Sequence, residues 1–124
     1  MSVDLTAQQR EKLARAAIDW VLEYFAAQST LPVYPTISAK ELSSQLSGSL
    51  PIDPQEITKL MSDVQRVADF GRHNGHPRMF GYVQSSASFA GVMGDLLASA
   101  MNQNVTSWRS APAATTIEHQ AIEW

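Results

Sequence analysis

Cysteine is absent from the 124 residues, which excludes a disulfide framework, a thiol nucleophile and a thiolate metal site. Positive charge is scarce, with nine Lys and Arg against twelve Asp and Glu and a formal net charge of −3. The basic residues are scattered, so the electrostatic footprint of a nucleic-acid binder is missing. No apolar run approaches the roughly 20 residues that cross a bilayer. The opening MSVDLTAQQREKLARA lacks the apolar core of a signal peptide. Alternating strand patterns, internal repeats and low-complexity tracts are missing as well. What is there, 44% hydrophobic and 17% charged residues, is the composition of a globular protein. A chain of this size buries roughly two-thirds of its unfolded surface. A single soluble unit, cytoplasmic, with no nucleic-acid or membrane partner, is the expectation.

Helix signals dominate. Thr6-Ala-Gln-Gln9 has the form of a capping box and opens a helix expected over about residues 7–28. Leu13, Ala17, Val21 and Tyr24 make one apolar stripe; Ile18, Leu22 and Phe25 make a second, and Trp20 widens the arc. An arc that wide is either sandwiched within its own domain or laid against a second subunit. Little other mass is available to cover both faces, so self-association is expected. Leu31-Pro-Val-Tyr-Pro-Thr36 must be extended, because each proline fixes φ and restricts its predecessor. Ser38-Ala-Lys-Glu41 is a second capping box, for a short helix to about Leu46 that Gly48 can end. Asp53 as N-cap, Pro54 at the first position and Glu56 predict a third start. Ile57, Leu60, Met61, Val64, Val67 and Ala68 form one face of that helix, and Gly71 is placed to stop it. A fourth helix begins near Ser85, Ser86 and Ser88, with Phe89, Val92, Met93, Leu96, Leu97, Ala100 and Met101 on its core face. Gly91 and Gly94 each cost roughly 1 kcal/mol relative to Ala inside a helix, which makes sense if something packs closely there. Pro112 and Glu118 mark a last helix that reaches Trp124 without a stop signal. The fold class is therefore mainly α, about four to five helices with long loops.

The organising stretch runs from His73 to Trp108. It opens with Asn74-Gly75, a turn signal, and His76-Pro77, which keeps the backbone extended. Gly81 between Phe80 and Tyr82 suggests a close approach of another backbone or a ligand. Aromatics in a loop punctuated by Gly and Pro point to a binding surface. His73 and His76 straddle a Gly in a loop with no fixed helical face and no acidic residue close by, and with His119 they are scattered, so no metal site is expected. A G-x-S-x-G nucleophile elbow is missing, and the serine cluster reads as a helix cap or an anion site. Asp63, Asp69 and Asp95 fit the polar faces of helices. No motif completes a catalytic apparatus.

HPRMFGYV, followed by GVMGDLLASAMNQNV and then SW, SAPAATTIE and a final W, resembles the N-terminal part of the pyridoxal-phosphate (PLP)-dependent group II amino-acid decarboxylases. That family includes the aromatic-amino-acid, tyrosine, glutamate and cysteine-sulfinate decarboxylases. PVYPTIS and the Pro51–Gly71 stretch are similar to the lead-in of bacterial members, so the resemblance covers nearly the whole chain. It implies a segment of a fold-type-I α/β enzyme, a homodimer whose N-terminal helices wrap around the partner. It implies decarboxylation of an L-amino acid with PLP as the electron sink. Residues 1–71 would be a helical dimerisation region, and residues 72–124 the substrate-side loop, a helix and the start of the next helix of the cofactor domain. Tyr82 matches a position that contacts substrate side chains in the aromatic-acid enzymes, and Gln84 and Ser85 follow in the same loop. Asn104 and Thr106 match a loop that reaches the neighbouring subunit's site. His76, Pro77, Arg78 and Phe80 match the motif as structural residues. Tyr82 and Trp108 lean towards the aromatic-acid branch.

Departures from the family pattern are equally specific. Ala111 stands where many members have Ser before Pro, Phe89-Ala90 where Pro is common, and Gln84 where a small residue or Pro is usual. The Schiff-base lysine, the ring-stacking His, the Asp that pairs with the pyridinium and the phosphate cup belong to later parts of the family sequence. Lys12, Lys40 and Lys59 sit on helices as solvated residues. The chain is thus expected to be a fragment that is inactive alone, with no catalytic, cofactor-binding or metal residue of its own. It would need the remainder of the decarboxylase chain as partner and an amino acid as substrate. The rival reading is a stand-alone, non-catalytic helical interaction module.

Overall fold

The computed structural model describes residues 4–124; residues 1–3 of the expected dimerisation region lie outside the described residues. Five helices and no strand occur among the described residues: α1 (Ala7–Ala27), α2 (Ala39–Leu46), α3 (Ile57–Asp69), α4 (Phe89–Met101) and α5 (Pro112–Glu123). They fall into two compact units, Met1–Ser86 and Ala87–Trp124.

In the first unit the expected capping chemistry starts α1. The Gln9 N–H donates to Thr6 Oγ1 at 3.2 Å and the Thr6 N–H donates back to Gln9 Oε1 at 2.9 Å. Four residues apart on one face, Trp20 and Tyr24 stack with ring centroids 5.1 Å apart and 9° between planes. Trp20 Nε1 donates to Gln65 Oε1 at 2.7 Å, tying α1 to α3. Gln65 in turn donates to Asp69 Oδ1 at 2.6 Å, so the bridging amide is itself held. Ser38 and Glu41 form the second capping box, with the Ser38 hydroxyl donating to Glu41 Oε2 at 2.7 Å and the Glu41 N–H donating to Ser38 Oγ at 3.2 Å.

Three boundaries differ from the sequence reading. α2 ends in an extended Ser47 (φ −75°, ψ 144°) rather than on a left-handed Gly48, and no glycine among the described residues has positive φ. α3 starts at Ile57, three residues beyond Pro54, with Glu56 as an N-cap that makes no side-chain bond. Leu50 and Ile52 just upstream are almost fully exposed, so nothing packs to reward helix before Ile57, the first half-buried residue. At the far end Gly71 follows the cap Phe70 as expected, but it closes the turn by donating to the Ala68 carbonyl at 2.9 Å. Leu60 and Val67, expected on the core face of α3, are exposed.

In the second unit, Ser88 alone of the serine cluster caps α4, accepting from the Gly91 N–H at 3.0 Å. Asn102 ends α4 in the left-handed region, φ 46° and ψ 45°, with its N–H donating to the Ala98 carbonyl. Pro112 opens α5 as read, with Ala111 as a cap that has no side-chain bond to give. Thr115 lies inside the helix, where its hydroxyl donates to the Ser107 carbonyl at 3.4 Å. Ala111 is the one buried hydrophobic residue among the described residues, at 0% exposure. Phe89, Leu96, Leu97 and Met101, expected to be core, are exposed, and Gly94 has nothing within 4 Å of where a Cβ would sit.

Candidate functional site

The stretch from Arg72 to Ser86 doubles back because the His76 N–H donates to the His73 carbonyl at 3.0 Å, closing the turn read at Asn74-Gly75. Its base is anchored by His73, the largest fully buried side chain of the described residues at 1% exposure. His73 Nδ1 faces the Pro32 carbonyl at 2.6 Å, so Nδ1 carries the proton. The His73 N–H donates to the Val33 carbonyl at 3.2 Å, and the ring lies against Tyr24 with centroids 5.9 Å apart. The proline-rich crossing segment therefore acts as the seat of the loop. His73 Nε2 is buried without a partner among the described residues. His76, also buried, accepts the Arg78 N–H on Nδ1 at 3.0 Å and fits the structural role expected of it.

At the tip the aromatics are exposed. Phe80 and Val83 project freely, so Phe80 does not serve the packing of this unit, and Gly81 meets only the tip of Met79. Tyr82 is 75% exposed with φ 66°, a conformation that costs a bulky L-residue about 1–3 kcal/mol. The Arg72 guanidinium lies over the Tyr82 ring, 4.2 Å from its centroid. Such a contact contributes roughly 0.5–1 kcal/mol at an exposed site, which offsets part of that strain. Arg72 Nε donates to Asn74 Oδ1 at 2.9 Å, and Arg72 Nη2 donates to Gln84 Oε1. Asn74 Nδ2 donates to the same Gln84 oxygen at 3.1 Å. Tyr82 and Gln84 are thus brought together by a clamp of two residues, Arg72 and Asn74, that sequence reasoning passed over. A turn closed from His73 to His76 brings only its own flanks together, so the Asn-Gly signal did not mark this pairing. Ser85 follows this clamp as an exposed residue.

Asn104 and Thr106 belong to the second unit and meet each other: Asn104 Oδ1 accepts the Thr106 N–H at 3.0 Å. The Ser110 hydroxyl lies 2.8 Å from the Asn104 carbonyl and 2.9 Å from that of Ser107, which stiffens the turn. Trp108 is 65% exposed. No group of three His, Asp or Glu among the described residues is placed to hold a metal ion. Lys59 donates to Asp63, and this ammonium, ahead of Arg66, holds the Asp63 carboxyl below its ordinary range. The cavity beside Lys59, lined by Gln45, Ser49, Gln55 and Arg66 among others, offers no aromatic face on which a cofactor ring could stack. Lys12 and Lys40 stand exposed on α1 and α2.

Residues 39–124 match the model of the pyridoxal-dependent decarboxylase conserved domain. The chain is 29% identical over 123 residues to 4-hydroxyphenylacetaldehyde synthase of Rhodiola rosea, covering 98% of this chain and 25% of that protein. It is 30% identical over 121 residues to tryptophan decarboxylase 2 of Oryza sativa subsp. japonica, covering 97% of this chain and 24% of that protein. A crystal structure of Oryza sativa TDC with PLP and tryptamine superposes with a TM-score of 0.81 at 28% identity, over 92% of this chain and 24% of that one. The chain spans about a quarter of the length of these relatives.

Proposed function

The chain belongs to the pyridoxal-dependent decarboxylase family, and from that membership we propose that it is the N-terminal part of a PLP-dependent amino-acid decarboxylase. Its share of the enzyme is twofold: residues 1–71 supply dimer contacts, and residues 72–124 supply part of the substrate pocket. Tyr82, Gln84 and Ser85 form one wall, and Asn104 and Thr106 belong to a loop that reaches the neighbouring subunit's site. The observation that carries this reading is the clamped tip at Tyr82. A strained, exposed tyrosine held by a network of side-chain bonds is prepared for contact with something outside its own unit.

The surroundings of the chain's three lysines support a cofactor lysine elsewhere in the enzyme. Lys59 is committed to Asp63, its cavity has no stacking ring, and Lys12 and Lys40 lie open on helix surfaces. In this reading PLP and the lysine that holds it belong to sequence beyond these residues, and the segment alone is inactive. A homodimer is supported by the apolar surface that both units leave open, including Leu22, Leu60 and Val67 in the first and Leu96, Leu97 and Ile122 in the second. No helix of the described residues is long and apolar enough to cross a membrane, and a cytoplasmic enzyme fits that. The test is carbon dioxide release. The protein encoded by the whole reading frame, supplied with PLP, should release it from an L-amino acid; the 124-residue chain alone should not. Release from neither contradicts the proposal.

A further inference from the structure

We propose that Arg72 is a positioning residue that turns the loop wall polar, so that the enzyme selects an amino acid whose side chain ends in an oxygen acceptor. This rests on the decarboxylase reading and deepens it.

Gln84 Oε1 already accepts from both Arg72 and Asn74. Its two lone pairs are used, and the amide nitrogen, with two N–H donors, has no partner among the described residues. The same guanidinium lies over the Tyr82 ring, 4.2 Å from its centroid, which holds the ring on a backbone of positive φ. Arg72 itself has no carboxylate partner among the described residues, so its charge is not neutralised locally. The wall therefore offers two amide donors, a phenol hydroxyl and a nearby positive charge. That set favours a ligand group that accepts hydrogen bonds, such as the oxygen of a phenol or a carboxylate. A hydrocarbon ring would leave the donors unpaired, and an indole, whose N–H only donates, could reach the phenol oxygen but would leave both amide donors unpaired. Asn74 keeps the guanidinium from rotating, since Nε is bound while Nη2 reaches Gln84. A Lys in place of Arg72 would keep the charge but could not hold this planar fork.

The experiment uses the complete enzyme and compares kcat/KM for L-tyrosine and L-glutamate with L-phenylalanine and L-tryptophan. One of the oxygen-bearing pair should exceed both others by about tenfold or more, the worth of one well-made hydrogen bond. Arg72→Met should shrink that ratio several-fold, chiefly through KM, and Arg72→Lys should restore it only in part. Gln84→Leu, at an exposed side chain where folding is not at stake, should shrink it as well. Lys40→Met, which removes a positive charge on another element, should leave it unchanged. A wild type that prefers phenylalanine or tryptophan overturns the inference, and so does a ratio that survives both Arg72→Met and Gln84→Leu. A wild type that releases carbon dioxide from no amino acid overturns the decarboxylase reading itself, and the inference with it.

Discussion

Tyr82 shows how much of this site depends on single residues. Its positive φ is a cost the local sequence does not relieve, and a guanidinium ten residues earlier holds it. Trp20 is a second case, because its ring stacks on Tyr24 while its N–H reaches Gln65. Trp20→Phe keeps the stacking and loses the donor; it should lower the urea midpoint by the equivalent of about 1 kcal/mol or less, the net worth of an exposed hydrogen bond. Gly94 gives a prediction with a sign change. In the 124-residue chain, Gly94→Ala should stabilise α4 by roughly 0.5–1 kcal/mol, because nothing lies within 4 Å of the added Cβ. In the complete enzyme the same change should destabilise, if the remainder of the protein packs on that face. Paired melting curves decide it, and stabilisation in both would mean that the face is never closely covered. At this scale the sequence marked Tyr82 through the loop motif and Gln84 only as a departure from it. It did not show Arg72 or Asn74, because side chains that act through a turn have no periodic spacing.

Helices were the most legible part of the chain. Thr6 with Gln9, and Ser38 with Glu41, form the reciprocal caps their spacing announces, since such bonds need only local backbone geometry. The start of α3 was misread for the complementary reason: good capping residues at Asp53 and Pro54 do not nucleate a helix where no apolar contact rewards it. The Glu41 cap also carries a pH dependence. The Ser38 hydroxyl, and after it the Ser38 N–H, hold the Glu41 carboxyl below its ordinary range. A carboxylate whose folded value is depressed stabilises the fold above the ordinary glutamate range and loses that contribution as pH falls through the lowered value. The N-terminus of α2 should therefore fray on acidification, seen as loss of amide protection at Glu41 and Leu42. Glu41→Gln should flatten that response, and a profile identical to wild type would contradict the assignment.

For the whole molecule, what stands out is how little of it is covered. Ala111 is the one hydrophobic residue buried among those described, while Leu60, Leu96, Leu97, Met101, Ile117 and Ile122 of α3, α4 and α5 are exposed. Burying such surface is worth roughly 25 cal/mol per Å², so helices this apolar are stable where another surface meets them. The composition shows the apolar content, but periodicity alone does not say which apolar face is covered, and Phe89, Leu96, Leu97 and Met101 of α4 are exposed. The isolated chain should self-associate, and sedimentation showing a clean monomer at high concentration would contradict that. The central claim, that these residues are one wall of a PLP enzyme whose lysine lies elsewhere, has a direct test. The protein from the whole reading frame is reduced with borohydride in the presence of PLP, and the labelled lysine is located by mass spectrometry. The account predicts a single phosphopyridoxyl group on a lysine outside residues 1–124. A stoichiometric label on Lys12, Lys40 or Lys59, or no labelled lysine at all, would contradict it.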